Sequence, residues 1–245
     1  MNREQTIHFD ADGFKLTGTL HLPGGRKPPV VIGCHGLFAD RNSPKQVGLA
    51  KACNAHGLAY LRFDHRGCGE SQGDFSQVTS LTARCHDLRQ AVAAMQLHPL
   101  VGELAALFGS SFGGTVVLAY ASQYGVPAVI TYAAPLNSSA IRRANIRDNM
   151  GHRPQSSLLT DALEFDIASN LERVSNILIV HSQNDETVPV DHALQIHARV
   201  APPKRIKILE GGDHRMSDPQ HQQQFETLFL DWLKNNFDRR FQCPE

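Results

Sequence analysis

The 245-residue sequence lacks any excess of charge: 24 lysines and arginines balance 24 aspartates and glutamates. No overall field draws such a chain to nucleic acid or to an anionic membrane, and a small neutral substrate needs none. There is no run of 18 apolar residues, so no membrane span is expected, and the opening MNREQTIHFDADGF has no apolar stretch of the secretory-signal kind. Cysteine is scarce and odd in number: Cys34, Cys53, Cys68, Cys85 and Cys243 follow no framework spacing, which argues against a disulfide-stabilised secreted fold. Reduced thiols and a cytoplasmic setting are the expectation. Repeats and low-complexity tracts are missing too.

Two further signatures are absent. In the turn at 64–71, DHRGCGES, Gly67 and Gly69 are followed by Gln72, with Gly73 one position late, so the dinucleotide pattern GxGxxG fails. No P-loop GK[ST] occurs, and His65 with Cys68 has no second pair at metal-ligand spacing. Neither a cofactor nor a metal is therefore expected, and the turn is read as structural.

What remains is an ordinary globular composition, 41% hydrophobic and 20% charged, with ample apolar material for a core. After two extended segments at 6–9 and 15–22, short apolar runs at 30–34, 58–63, 104–108, 126–133, 177–180 and 205–209 alternate with helical patterns at 44–55, 81–95, 113–124, 191–200 and 220–235. Most runs lack polar alternation, as strands covered on both faces should. This is the βαβ rhythm of an α/β chain. Leu81, Cys85, Leu88, Val92 and Met95 fall on one helical face, so Cys85 is read as core. Phe225, Leu228, Phe229, Trp232 and Leu233 form a second stripe, expected to pack on the sheet. The rhythm breaks from 135 to about 173, where only a helix near 158–171 is expected. Residues 136–173 are read as a lid inserted into a single domain spanning 1–245.

The run at 104–108 leads directly into Gly109-Ser110-Ser111-Phe112-Gly113-Gly114, with a helical pattern immediately after. A strand, a tight turn and a helix are what a nucleophile elbow requires, and the glycine spacing selects Ser111 over Ser110. A serine needs an imidazole to take its proton and a carboxylate to orient that imidazole. Asp185 lies in the loop beyond the run at 177–180, and His214 beyond the run at 205–209. In a parallel sheet these strand ends share one edge, and the order Ser111, Asp185, His214 is the one this type of sheet uses. Asp213 and Glu186 are rival acids; Asp213 is adjacent to His214, and adjacent side chains diverge. The oxyanion donors are expected to be the amides of Phe112, following the nucleophile, and of Leu37, following the strand that ends at Cys34. His35 is read as structural.

The segments CHGLFADR (34–41), DHRGCGES (64–71), GSSFGG (109–114), HSQNDETVP (181–189) and GGDHRM (211–216), in this order, resemble the α/β-hydrolase superfamily, in particular its compact esterases and the related serine aminopeptidase-like hydrolases. The resemblance covers nearly the whole chain. It implies a roughly eight-stranded, mostly parallel sheet with helices on both faces and hydrolysis through an acyl-enzyme. A serine at 111 departs from haloalkane dehalogenases and epoxide hydrolases, whose pattern has aspartate there. The expected activity is cleavage of a carboxylic ester or thioester in a small acyl substrate. An amidase or peptidase, or a carbon-carbon bond hydrolase acting on a diketone, would use the same triad; a binding protein that has lost catalysis is the reading from another class. In the expected lid, Arg142, Arg143, Arg147 and Arg153 either meet an anionic substrate group or form a solvated helix face.

Overall fold

The computed structural model describes residues 3–24, 27–139 and 163–241, with side chains described as far as residue 235. Its centre is an eight-stranded sheet in the order β1-β2-β4-β3-β5-β6-β7-β8. Strands β1 (Arg3–Ala11) and β2 (Phe14–Leu22) form an antiparallel hairpin in register from Arg3↔Leu22 to Ala11↔Phe14. Asp12 and Gly13 turn it with φ of 54° and 83°, the left-handed pair that suits a two-residue hairpin. β2 pairs antiparallel with β4 (Ala59–Phe63), and every other neighbour pair is parallel: β3 (Val30–Cys34), β5 (Leu104–Ser110), β6 (Val129–Tyr132), β7 (Ile177–Ser182) and β8 (Lys204–Leu209). β3, β4, β6 and β7 are buried along their whole length, the reason their sequences run apolar without alternation.

Helices cover both faces. α1 (Pro44–Ala55) and α6 (Pro219–Phe241) pack on one, where Leu49, Phe108, Phe225, Phe229 and Leu233 form a continuous core. Phe108 meets the rings of Phe225 and Phe229 with centroids 5.8 Å away in both cases, and each buried phenyl ring contributes about 2–3 kcal/mol. α3 (Leu81–Leu97), α4 (Phe112–Ala121) and α5 (Asp191–Arg199) cover the other face through Leu88, Val92, Val116, Val117 and Ile196. Cys85 is half-buried against that core, and burial pushes its thiol up to about 12. A four-residue helix, α2 (Phe75–Val78), was not legible in the sequence; it is too short for periodicity and is held by Asp74, whose side chain accepts the Ser76 N–H.

The helix expected at 158–171 is corrected. Residues 158–162 lie outside the described residues, and 163–167 are not helical; the helical turn is a 3₁₀ segment, Ala168–Arg173. Asp166 is instead paired in an antiparallel bridge with Asn137, and its carboxylate takes the Ala168 N–H at 2.8 Å. Most of the lid expected at 136–173 lies outside the described residues, including Arg142, Arg143, Arg147 and Arg153. Its two described roots bond to each other, Ser138 N–H to Phe165 O at 2.9 Å and Ile167 N–H to Leu136 O at 3.1 Å. β6 is shorter than the run at 126–133: its pairing with β5 and β7 begins at Val129, and Ala133 turns away at φ 54° after a last bond from its N–H to Val180 O at 3.0 Å.

The strand order reverses about β3, with β4 on one side and β5 on the other. At such a switch point the loops leaving the carboxyl ends of the two strands diverge and open a crevice. The segments after β3 and β5 both start there.

Candidate active site

Between β5 and α4 the chain reverses through one residue, Ser111, at φ 54° and ψ −126°. For a residue with a Cβ this conformation costs about 1–3 kcal/mol, so the surroundings must impose it. Ser111 N–H bonds to Tyr132 O and Gly114 N–H to Ser111 O, both at 2.7 Å. The flanking glycines follow from close approach. A Cβ on Gly109 would strike the main chain of Gly113, and one on Gly113 would strike the carbonyls of Cys34 and His35.

The structure brings the three expected polar residues into one line. His214 Nε2 lies 3.1 Å from Ser111 Oγ, and His214 Nδ1 lies 2.8 and 3.0 Å from the two carboxylate oxygens of Asp185. The Asp185 carboxylate is inaccessible to solvent and also accepts the N–H groups of Thr187 (2.9 Å) and Val188 (2.7 Å). These amide donors hold the acid with both oxygens beside the ring. The rival acids face elsewhere. Asp213 Oδ1 takes the Ser217 N–H at 2.8 Å, and Glu186 Oε2 takes the main-chain N–H of His214 at 3.0 Å.

Phe112 opens α4, so its N–H belongs to the unpaired first turn of a helix. Leu37 follows Gly36, whose Cα position lies against Ser111 closely enough that an added Cβ would sit 3.5 Å from Ser111 Cβ. Among the described residues neither amide finds an acceptor, and both residues line the crevice beside Ser111. Two N–H groups are thus available next to the hydroxyl.

Two residues that support the site, Arg84 and His181, were not singled out in the sequence, and His35, read there as structural, supports it too. Arg84, wholly buried on α3, donates to the carbonyls of Gly36 (3.2 Å) and Leu37 (2.9 Å) and lies over the Phe112 ring at 5.2 Å. It holds the loop by its carbonyls, leaving the Leu37 N–H for the crevice. His35 works from the same side: its Nε2 accepts the His65 N–H at 3.2 Å, so its Nδ1 carries the proton given to Gly36 O at 2.7 Å. Burial holds His35 well below the usual imidazole range. His181 stands behind the acid, with Nε2 2.9 Å from Val188 O and 3.4 Å from Asp185 Oδ2.

The turn at 64–71 is a buried polar frame. Asp64 accepts the main-chain N–H groups of Arg41 (2.7 Å) and Glu70 (2.9 Å) and pairs with the Arg41 guanidinium. Asp87 takes Arg66 N–H at 3.0 Å and Arg66 Nε at 2.7 Å, and lies 3.3 Å from His65 Nδ1. Cys68 is held by Arg84 at 3.3 Å. Asp64, Arg66, Cys68 and the Nδ1 side of His65 are engaged in bracing, and no cluster of three metal-ligating side chains occurs among the described residues.

The crevice has a volume of about 700 Å³ and runs from Ser111 and His214 along apolar walls that include Leu37, Leu49, Phe112, Val188, Met216 and Phe225. Its polar side chains include Lys45, Glu186, Arg215, Gln222 and Glu226. No helix among the described residues is long and apolar enough to cross a membrane.

Two relatives by sequence and one solved structure are similar to this chain. The polyketide transferase grgF of a Penicillium species is 29% identical over 195 residues, 78% of this chain; the chain spans only 60% of that relative's length. The mouse mitochondrial palmitoyl-protein thioesterase ABHD10 is 25% identical over 216 residues, 78% of this chain and 71% of the relative. The structure of Est1E from Butyrivibrio proteoclasticus, with ferulic acid bound, superimposes with a TM-score of 0.76 at 20% identity, covering 93% of this chain and 99% of Est1E. A family model described as serine aminopeptidase, S33, matches residues 26–163, more than half of the chain, including the Ser111 turn. The chain belongs to the serine aminopeptidase S33 family, within the α/β-hydrolase superfamily.

Proposed function

We propose that the chain is a serine hydrolase that cleaves a carboxylic ester or thioester of a small, largely apolar acyl group through an acyl-enzyme. The observation that carries this reading is the continuous line from Ser111 Oγ to His214 Nε2 (3.1 Å) and from His214 Nδ1 to Asp185 (2.8 Å), which opens into an apolar crevice. His214 takes the Ser111 proton as the oxygen attacks the acyl carbon, and Asp185 stabilises the imidazolium. The N–H groups of Leu37 and Phe112 receive the oxyanion. The imidazolium then protonates the departing alcohol or thiol, and a water activated by the same histidine releases the acid. The names of the relatives, a thioesterase and a polyketide transferase, agree with acyl chemistry. Est1E, seen with ferulic acid, agrees with an aryl or extended acyl group in the crevice. The four described cysteines are all free thiols, in keeping with a reducing, cytoplasmic setting.

The test is Ser111→Ala on p-nitrophenyl acyl esters, where kcat is expected to fall by about 10⁶-fold, together with labelling of the folded wild type by a fluorophosphonate at Ser111. Wild-type turnover in the variant would sink the proposal. Absence of label with ligand binding retained would favour a non-catalytic binding protein. Matched ester, thioester and anilide substrates rank the leaving groups; faster turnover of the anilide would move the assignment to the amidase or peptidase alternative.

A further inference from the structure

His214 sits in a segment, 213–216, that belongs to no helix or strand and ends at Met216 with φ 57°. Its orientation is therefore not set by a regular backbone ladder. Four side chains from four separate parts of the fold instead hold four successive residues there. The Tyr132 hydroxyl on β6 donates to Asp213 O at 2.7 Å, and Glu186 Oε2, beyond β7, accepts the His214 N–H at 3.0 Å. Lys45 Nζ on α1 donates to Arg215 O at 2.7 Å, and Gln222 Nε2 on α6 donates to Met216 O at 2.8 Å. Within the segment, only the contacts of Asp213 with Met216 N–H (3.2 Å) and Ser217 N–H (2.8 Å) add to these.

Lys45 is the brace with the largest lever. It is half-buried, its ammonium lies 4.9 Å over the Tyr132 ring, and its hydrogen bond spans 170 residues to the position next to His214. A charged donor on a carbonyl makes a stronger bond than a neutral one. Burial lowers the Lys45 ammonium to about 8, against the pull of Asp213 and Asp185 and with the repulsion of Arg215, so holding a lysine here costs free energy that a surface lysine does not.

We propose that Lys45 is a positioning residue for His214: with Tyr132, Glu186 and Gln222 it fixes the main chain of 213–216, so that the imidazole stands between Ser111 Oγ and the Asp185 carboxylate. Lys45 and Gln222 also line the crevice, so substrate and histidine share a support. This inference rests on the reading of His214 as the general base.

The test uses the full chain with Lys45→Met, Lys45→Arg and Gln222→Ala on a p-nitrophenyl ester. Lys45→Met is expected to lower kcat by about 10–100-fold with KM within about threefold, the signature of a misplaced catalytic group. Lys45→Arg, or butylamine added to Lys45→Met, should restore much of the loss, which a purely structural role would not produce. A kcat within about twofold of wild type in Lys45→Met, or a loss that neither arginine nor amine relieves, overturns the proposal. Should Lys45→Met fail to fold, Gln222→Ala decides: a lower kcat at unchanged KM supports the brace, and a wild-type kcat overturns it. The histidine is also read without turnover, through the far-downfield proton resonance of His214 Nδ1 on Asp185. It should broaden or vanish in Lys45→Met, and an unchanged resonance counts against the proposal. Full activity in Ser111→Ala would instead defeat the hydrolase reading, while this resonance would still report on Lys45.

Discussion

Asp185, Asp213 and Glu186 surround His214, yet their carboxylates do three different things. Asp185 presents both oxygens to Nδ1, Asp213 closes its own turn on Ser217, and Glu186 holds the histidine main chain. Only the first can select the tautomer that leaves Nε2 unprotonated toward Ser111, because only it contacts the ring. Asp185→Asn is thus expected to lower kcat by about 10⁴-fold, since an amide can present its NH₂ to Nδ1 and stabilise the wrong tautomer. Asp213→Asn should cost less than about tenfold, because its side chain does not touch the imidazole. Steady-state kinetics on one ester checks both, and equal losses would refute the division of roles. Asp185 also receives two amide N–H groups and has His181 behind it, which a sequence containing 13 histidines does not single out.

At the scale of the element, the decisive unit is strand β5, the Ser111 turn and helix α4. The helix starts so close to β3 and β5 that its first turn touches the ends of both strands, and the glycines at 109 and 113 are where contact occurs. Gly113 packs against the main chain at Cys34 and His35, two to three residues before the Leu37 amide. Gly113→Ala must push α4 away from that loop, an overpacking cost of about 1–3 kcal/mol at roughly 2–4 °C of Tm per kcal/mol for a chain this long. Its kcat should fall out of proportion to that loss, because the displaced loop carries the Leu37 amide proposed as an oxyanion donor. A variant with wild-type Tm would show that the contact is not tight. Thermal melts and kinetics on the same sample separate the two effects. The elbow was legible from five adjacent residues because its geometry is local. α2 and the Ala168–Arg173 turn were not, because single turns have no periodicity and take their form from caps and packing.

At the scale of the whole molecule, the imidazoles of His21, His35, His65 and His181 are buried, and burial lowers each below the usual histidine range. Native protein keeps them neutral while the unfolded chain protonates them near pH 6.5, so the unfolded state binds more protons as pH falls. The stability they confer is full above pH 6.5 and is lost progressively below it, by up to about 1.4 kcal/mol per histidine per pH unit. Urea unfolding at pH 7.5 and 5.5 should give a lower free energy at 5.5, and equal values would show that these rings are not held neutral. The same long-range packing separates what the sequence determined from what only the fold decided. Apolar runs, helical stripes and the GSSFGG turn are set by neighbours within one element, so the α/β architecture and Ser111 were readable from short windows. Asp185 and His214 were readable one step further, because a parallel sheet sends its strand ends to one edge. Arg84 under Leu37 and Lys45 on Arg215 bond across 47 and 170 residues, and no window of sequence contains both partners. Their places were decided only when the sheet, α1, α3 and the histidine segment closed on one another, because a hydrogen bond depends on distance in space and not along the chain.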